Sequence, residues 1–536
     1  VRSAFTCVGY LRSGRMRLGC FCLLGVMAQA PALRAQGAIP PLPDSTGWGV
    51  HVLSVARDPR GAIWVGTYGH GIYRLPAGAT VWEPIRHDTT DSSISWNFVQ
   101  AIAFGARGQI WYGTIGNGWG LSTDGGATWR NWTYDQLGPE WQYVTPSGIA
   151  VRGDTTVIGT ADGLQVTTND GASWTAIGDA TGPRARGPAD TMFPVLRSEY
   201  VRRVAAHRRG WNVATLRGSQ RLRRGPAGWL AETLSAAAFP PANALLFGKQ
   251  LIRGTQCGLR PSTDTLPCFR QAGPPAEAPR APRTAWFKRP IALTDNSLID
   301  QTYRYGSTMG GNFQQHQGVE FNNPDGTPVH AIGSGTVVYA GPAEAGALTV
   351  TIRHDTSVTA NGKRHRIFST YYHNSALTVK VGRKVSRGAV IARVGNTGRA
   401  TNDHLHLEVS ASPSDSVALI VDSLQRFPPY TTNPELWIEP LPGTGIVAGQ
   451  VLDGSGKPVP QARIYGITKR DPADTPFSFA ETYGDKAHSH PLYGEHFAVS
   501  DVPPGTYSVG TEIDGKKVFR QVTVEEGKLS WVVFKP

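Results

Sequence analysis

Five residues between positions 316 and 406 have the types and the spacing that metal-assisted hydrolysis requires. His316-Gln-Gly-Val-Glu320 lies at one end of this stretch, His404-Leu-His406 lies at the other, and His373 lies between them. Because successive side chains of a strand alternate between its faces, the last two histidines share one face and the leucines anchor the other. Two histidines, one carboxylate and an open fourth position are typical of a catalytic zinc site.

The spacing of the first motif requires a bend in the chain. His316 and Glu320 would lie ~13 Å apart on a straight strand, whereas ligands of one zinc ion bind it at about 2 Å. We therefore expect the chain to bend between them, and Gly318 is the residue that would permit the bend.

The remaining residues of the set suggest the reaction. Zinc activates water near neutral pH and polarises a carbonyl group. His373, and whichever of His404 and His406 does not bind the metal, could transfer protons and stabilise an oxyanion. These residues together predict hydrolysis of an amide.

The motifs and two Gly- and Val-rich runs between them, at 326–341 and 379–398, closely resemble the lysostaphin-type (LytM-like) zinc metalloendopeptidases over roughly residues 288–415. The resemblance implies an antiparallel β domain that cuts peptides of peptidoglycan with one Zn²⁺. It further implies that His316 and His406 are zinc ligands, that Glu320 replaces the usual Asp ligand, and that His373 and His404 are the catalytic pair.

The composition indicates a strand-rich protein of several domains. The chain has 536 residues, 63 of them Gly and 39 Pro, with 40% hydrophobic and 17% charged residues, which exceeds the size of a single core. The formal net charge is +13, and the five arginines before residue 35 leave +8 for the rest. This surplus favours anionic partners or serves solubility, and no nucleic-acid-binding motif is present.

The N-terminal segment predicts export. Arg17, an apolar run from Leu18 to Ala30 and a small-residue stretch follow the order of a signal peptide at 1–35, and the run is too short for a permanent membrane span. Cys257 and Cys268 are the only cysteines beyond it, which allows one disulfide or two buried thiols. A secreted, periplasmic or cell-envelope location is expected.

The segment at 45–272 contains an internal repeat. A Gly-Thr pair after an apolar strand recurs at Gly66, Gly113, Gly159 and Gly254, with spacings of 47, 46 and 95 residues, and a degenerate copy lies near Trp211. This period predicts the blades of a β-propeller, five of them being recognisable. A ring with a sixth, degenerate blade and an open array are the alternatives.

Two hairpins of this repeat resemble the Asp-box turns of sialidase-like propellers. They read Ser-Thr-Asp124-Gly-Gly-Ala-Thr-Trp129 and Thr-Thr-Asn169-Asp-Gly-Ala-Ser-Trp174. The resemblance implies a structural role, in which the Asp caps a tight turn and the Trp packs beneath it. The propeller could bind a glycan or protein through His70, Trp119 or the Arg-rich stretch 202–224, although core and solvated positions are favoured.

The rest of the chain divides into three predicted segments. A Pro-rich linker at 273–287 should be extended, and the peptidase domain is expected at 288–440. The segment 445–536 resembles the carboxypeptidase-regulatory-like β-sandwich, and its short strands between Gly and Pro turns support that fold. The expected fold class is therefore mainly β, combining a propeller, an antiparallel β peptidase domain and a β-sandwich.

Three functions are compatible with these residues. The first is a zinc metalloendopeptidase that hydrolyses amide bonds in peptidoglycan peptides through a zinc-activated water. The second is the same chemistry on Gly-rich proteins. The third is a catalytically weak or inactive wall-binding protein that regulates another hydrolase, and it predicts that zinc binding is lost.

Overall fold

The computed structural model of the chain describes residues 39–536 except positions 139, 180–186, 236, 241–242, 265, 401, 423, 425 and 468–479. In these residues the regular structure is almost entirely β-strand, with one short helix, α1 (Tyr134–Leu137), and three 3-10 turns at Glu344–Gly346, Val417–Leu419 and Pro434–Leu436. The predicted mainly β fold class is confirmed. The predicted signal peptide at 1–35 lies outside the described residues.

The repeat region forms five consecutive small sheets. Their strands are β1 (Val52–Arg57), β2 (Ile63–Thr67), β3 (Ile72–Leu75) and β4 (Glu83–Ile85); β5 (Val99–Phe104), β6 (Ile110–Thr114), β7 (Trp119–Ser122) and β8 (Arg130–Trp132); β9 (Val144–Arg152), β10 (Thr155–Thr160), β11 (Gly163–Thr167), β12 (Thr175–Gly178) and β13 (Thr191–Pro194); β14 (Val201–His207), β15 (Gly210–Thr215), β16 (Gly218–Gly225) and β17 (Gly228–Leu234); and β18 (Ala244–Phe247), β19 (Gln250–Thr255) and β20 (Gly258–Pro261). Within each sheet the strands pair in sequence order, antiparallel except for the β12–β13 pair.

The repeated glycines mark close approaches between neighbouring sheets. A Cβ on Gly113 would clash with Val144 of the next sheet, and a Cβ on Gly159 would clash with Val201. A Cβ on Gly254 of the fifth sheet would likewise clash with Val52 of the first sheet. These contacts are what a closed five-bladed ring requires, and the propeller itself stays a proposal.

Both Asp-box hairpins have the turn geometry that their residues predict. The Asp124 carboxylate accepts hydrogen bonds from the backbone N–H groups of Ala127 and Thr128, each at 3.0 Å, and Trp129 is buried. In the second hairpin the Asn169 side chain accepts from the N–H of Ser173 at 2.9 Å. The capped turns hold the strands of each hairpin together.

The central region forms one nine-stranded sheet. Its strands are β21 (Val319–Asn322), β22 (Pro328–His330), β23 (Gly335–Pro342), β24 (Leu348–Ala360), β25 (Lys363–Leu377), β26 (Lys384–Val385), β27 (Val390–Val394), β28 (His404–Ser412) and β29 (Thr431–Thr432). The main order is β21-β28-β25-β24-β23-β26, β27 pairs with β22 and β25, and β29 pairs with β28. All of these pairs are antiparallel.

The C-terminal region consists of three small sheets. Its strands are β30 (Gly445–Val451), β31 (Arg463–Ile464), β32 (Ala480–Glu481), β33 (Phe497–Val502), β34 (Gly505–Ile513), β35 (Lys516–Val524) and β36 (Leu529–Phe534). The sheets are β33-β30-β36, β34-β35 and β31-β32, and one apolar cluster, including Val447, Val509 and Val522, joins them. We call this region the C-terminal module.

The described residues from Ile39 onward form one unit. The segment predicted as a linker runs along the C-terminal module, where Ala276 N–H donates to Gln521 O at 2.8 Å and Arg280 N–H donates to Leu529 O at 2.9 Å. Tyr483 of the module lies within the apolar core of the central sheet. The C-terminal module therefore packs directly against the central region.

Candidate metal centre

Two paired strands place the predicted residues on a common face. In the antiparallel pair β21–β28, Glu320 lies opposite His406 and Asn322 lies opposite His404. The leucines at 405 and 407 point to the other side and are fully buried in the core. The alternation predicted from the sequence is confirmed.

The predicted bend before β21 is confirmed, but its expected reason is wrong. His316 precedes the strand, and its Nε2 lies 3.2 Å from Glu320 Oε1. Gly318 is not among the residues with positive φ. A Cβ at this position would instead lie 2.6 Å from His406 Nε2 and would also clash with Leu407 O. The residue is glycine because another strand approaches it closely.

Three ligand atoms converge from His316, Glu320 and His406. His316 Nε2 lies 3.2 Å from His406 Nδ1, and Glu320 Oε1 lies 4.0 Å from His406 Nδ1. Ligand bonds of about 2 Å in tetrahedral geometry separate two donors by roughly 3.4 Å. The spacing and the donor types of these residues therefore fit a zinc ion.

A second group of three histidines shares one member with the first. Among the described residues, the groups able to hold a metal are His316, Glu320 and His406, and also His373, His404 and His406. His404 Nε2 lies 3.7 Å from Glu320 Oε1, so the two groups form one continuous site. Only the first group contains a carboxylate, Glu320. Because this carboxylate supplies negative charge, the first group is favoured as the cation site.

Backbone carbonyls orient His373 and His404. His373 Nδ1 lies 2.8 Å from Thr397 O, and His404 Nδ1 lies 2.8 Å from Asn402 O. A carbonyl oxygen can only accept, so in each neutral ring Nδ1 carries the proton and Nε2 is left as the base. The two residues therefore have the tautomer that proton transfer requires.

Burial controls the charge of the site. It lowers the pKa of His373 to about 3, with the neighbouring His404 lowering it further. Burial and the charge of His316 also hold the pKa of His406 well below its ordinary value. Burial raises the pKa of Glu320, but His404 and His316 lower it more, and the net shift is downward. Neutral imidazoles beside an ionised carboxylate are the forms that bind a metal.

His373 has an unusual backbone conformation. Its φ is +64°, and it lies where β25 stops pairing with β28, after Tyr372, and starts pairing with β27 at Asn374. A non-glycine residue with positive φ stores strain, and such residues often occur at functional sites. The irregularity turns this side chain toward His404, with 4.8 Å between the ring centroids.

Glu408 is a site residue that the sequence analysis missed. Its Oε1 lies 3.5 Å from His406 Nε2, the nitrogen on the far side of the ring from Glu320. Burial raises the pKa of Glu408 to about 8, although a hydrogen bond from Tyr372 lowers it. Carboxylates behind a metal-binding imidazole fix its orientation. The sequence contained a signal for Glu408, because a residue two positions after His406 on a strand lies on the same face.

Two aromatic rings lie beside the candidate metal ligands, and the candidate positions of the repeat region lie elsewhere in the chain. The Tyr303 ring stacks on His316 with centroids 4.1 Å apart, and the ring of Tyr372 lies 5.7 Å from that of His406. Trp119 of the repeat region is fully buried, as the favoured core assignment predicts, and His70 is half-buried. Cys257 and Cys268 form a disulfide.

Comparison with known proteins agrees with this geometry. Residues 314–417 match peptidase family M23. The chain is 39% identical over 94 residues to the peptidoglycan DD-endopeptidase ShyA of Vibrio cholerae, which is 18% of this chain and 20% of that protein. It is 37% identical over 107 residues to the glycyl-glycine endopeptidase ALE-1 of Staphylococcus capitis, which is 20% of this chain and 28% of that protein. The match thus spans less than a third of each relative's length.

Part of the chain can also be aligned with a solved structure. The catalytic domain of lysostaphin from Staphylococcus simulans aligns with 28% of this chain and 86% of its own, at 26% identity and a TM-score of 0.18. On the family match, the chain contains a lysostaphin-type domain of peptidase family M23. In the part of the chain that the structure describes, no helix is both long and apolar enough to cross a membrane.

Proposed function

We propose that the protein is a zinc metalloendopeptidase that hydrolyses amide bonds in peptidoglycan peptides. The observation that carries this proposal is the convergence of His316 Nε2, Glu320 Oε1 and His406 Nδ1 beside two further oriented imidazoles. Three protein ligands with an adjacent open side are the arrangement of a catalytic zinc site, whereas a structural site has four.

The first three residues would hold the metal. His316, Glu320 and His406 offer two nitrogens and one oxygen, and the side chains of all three are at least four-fifths buried. Zinc bound there would supply a Lewis acid that activates water and polarises the substrate carbonyl. Burial strengthens the attraction between the Glu320 carboxylate and a zinc cation, because few water molecules can screen the carboxylate.

The catalytic pair would handle protons. Because Nδ1 of His373 and of His404 is held by a backbone carbonyl, Nε2 of each ring can accept a proton from the attacking water. Once protonated, the same nitrogen can donate to the oxyanion or to the leaving amine. Either ring can therefore serve as base and then as acid, as amide hydrolysis requires.

The relatives support the proposed substrate class. Among them are a peptidoglycan DD-endopeptidase and a DD-carboxypeptidase/endopeptidase of Neisseria meningitidis, which is 36% identical over 106 residues. We extend the peptidoglycan substrate from these proteins to this chain. Export to the cell envelope, which this substrate requires, is supported by the signal-like N-terminal sequence and by the Cys257–Cys268 disulfide.

Digestion of purified sacculi tests the proposal. The zinc-loaded protein should release soluble muropeptides, whose masses identify the bond that is cut. His373→Ala should bind zinc like the parent and lose at least a hundredfold in rate, since general acid–base groups contribute about 10²–10⁴-fold. A parent protein that binds zinc but leaves sacculi intact while cleaving Gly-rich proteins would refute the peptidoglycan substrate. If the parent protein has no affinity for zinc, the proposal that it is a zinc metalloendopeptidase is wrong.

The repeat region is proposed to be a five-bladed propeller. Its five sheets and the contact between Gly254 and Val52 support this arrangement. One apolar cluster of this region, including Tyr68, Phe98 and Tyr200, also contains Met309 of the central region. The repeat region therefore also packs against the peptidase domain, whether or not it binds a ligand.

A further inference from the structure

Glu481 of the C-terminal module holds a loop of the peptidase domain. Its Oε2 accepts hydrogen bonds from Thr308 N–H at 2.7 Å and from Thr308 Oγ1 at 2.8 Å. Its Oε1 accepts from Gly310 N–H at 2.8 Å. The carboxylate is buried, and hydrogen bonds to a buried charged group are stronger than those between neutral groups. The loop is therefore fixed by a residue 173 positions away in the sequence.

The held loop connects directly to His316. The N–H of His316 donates to Ser307 O at 3.0 Å, and Gly306 N–H donates to His316 O at 2.9 Å. Ser307 is adjacent to Thr308, which Glu481 binds. Thr308, which binds the Glu481 carboxylate, is thus the direct neighbour of Ser307, which binds the backbone of the predicted zinc ligand His316.

The same module contacts the His316 segment at a second point. Lys486 N–H donates to Gln315 Oε1 at 2.9 Å, and Gln315 Nε2 donates to Gly306 O at 3.0 Å. Thr308, next to Ser307, and Gln315, next to His316, are therefore both bound to the segment 481–486 of the C-terminal module.

The loop needs this support because its own conformation is unfavourable. Met309, between the two residues that Glu481 binds, has φ +49°, a backbone region that is strained for a residue with a side chain. Its side chain is buried in the apolar cluster of the repeat region, and Tyr68 OH of that region donates to Thr302 O at 2.7 Å. The loop is thus held from two sides, by the carboxylate and by the repeat region.

We propose that Glu481 is a positioning residue of the metal centre: by binding Thr308 and Gly310, it orients His316 toward Glu320 and His406. This inference rests on the proposed function, because it assumes that the three residues bind zinc. On this proposal the C-terminal module supports the metal centre, whereas the sequence predicts it only as a separate β-sandwich.

The test is the zinc affinity of Glu481→Gln in the full chain, measured by competition with a chromophoric chelator. Glutamine keeps the shape but loses the charge and presents an NH₂ group to backbone donors. We expect zinc to bind at least tenfold more weakly, as is typical when a partner behind a metal ligand is lost. The visible absorption spectrum of the Co²⁺-substituted protein should also change, since it reports ligand geometry.

Two further variants control this experiment. Glu512→Gln alters a carboxylate of the same module that binds Trp48 Nε1 at 3.0 Å and is outside the loop contacts described above, and it should keep the parent affinity. Thr308→Val removes one of the three hydrogen bonds while preserving shape, and should weaken zinc binding less than Glu481→Gln. This variant keeps the proposal testable if Glu481→Gln does not fold.

The outcomes separate the two proposals. If Glu481→Gln and Thr308→Val both bind zinc as tightly as the parent and give its Co²⁺ spectrum, the positioning role is wrong even if either variant lowers the Tm of the zinc-free protein. If the parent itself binds no zinc, the proposed function fails instead.

Discussion

Glu320 and His406 lie directly opposite each other on the antiparallel strands β21 and β28, and their side chains emerge on the same face. Opposed residues of such a pair have Cβ atoms about 5 Å apart. Glu320 Oε1 reaches to 4.0 Å from His406 Nδ1 and to 3.2 Å from His316 Nε2. The Glu320 carboxylate thus already reaches the other two proposed zinc ligands.

Shortening this side chain should weaken the site. Glu320→Asp withdraws the carboxylate by one methylene on an unchanged backbone, and we expect zinc to bind about tenfold more weakly, a loss typical of a disturbed ligand set. Glu320→Gln, which keeps length but removes charge, should weaken binding further. Chelator competition measures both. Tighter zinc binding by Glu320→Asp would show that the strands adjust to the shorter ligand.

Gly318 should tolerate no side chain. The methyl group of Gly318→Ala would displace the His406 ring, whose Nε2 would be 2.6 Å from the new Cβ. We expect loss of measurable zinc binding together with a lower Tm. Gly341→Ala is the matched control, because a Cβ at this position of β23 meets nothing within 4 Å. Equal zinc affinity in the two variants would contradict the close approach.

The backbone of His373 predicts which substitutions preserve the fold. Asn tolerates positive φ and a β-branched residue does not, so His373→Asn should keep the free energy of unfolding within about 0.5 kcal/mol of the parent, while His373→Val should lose about 1–3 kcal/mol. Both should lose activity. Denaturation of the zinc-free proteins provides the measurement, and equal stability of the two variants would argue against strain at this position.

Glu199 makes stability depend on pH. Burial, and then the charges of Asp179 and Asp403, raise its pKa to about 10. Among the residues that the structure describes, neither of its buried oxygens has a hydrogen-bond partner. The folded chain therefore holds a proton that the unfolded chain releases above its ordinary pKa of about 4.3. The contribution of Glu199 to the free energy of unfolding is therefore fully present below about pH 4.3, its pKa in the unfolded chain. It falls as the pH rises toward 10, by up to about 1.4 kcal/mol per pH unit.

Glu199→Gln should remove this dependence. Urea denaturation at pH 5 and pH 8 should show the variant gaining stability relative to the parent at the higher pH. Glu232→Gln, at an exposed position of β17, should leave the parent's pH dependence unchanged. A parallel pH dependence of Glu199→Gln and the parent would mean that Glu199 is ionised in the folded protein.

The disulfide should stabilise the fifth sheet. Cys257 and Cys268 close a short loop with a sequence separation of 11, and loops of this size contribute about 3 kcal/mol through the entropy of the unfolded chain. The double variant Cys257→Ser, Cys268→Ser should therefore lower the free energy of unfolding by roughly this amount. Reductant should lower the parent's stability and leave that of the double variant unchanged.

Much of the site could be predicted because its signals are local. Alternation in β28 was sufficient to place His404 and His406 on one face and the leucines in the core. Counting cysteines left one disulfide or two buried thiols, and the structure has the disulfide. The five sheets followed from a period of about 47 residues. Glu408 obeys the same alternation and was missed only because its side chain was not assigned a role.

The sequence by itself therefore determined the strands, the five candidate site residues and the family that they resemble, because periodicity and spacing are properties of neighbouring residues. Only the tertiary structure decided how His316 turns toward Glu320, why Gly318 must be glycine and that His373 has positive φ. The loop before His316 has no periodic pattern, and its conformation depends on contacts with Glu481 and Tyr68, each more than 150 residues away. Such contacts form only when the whole chain folds.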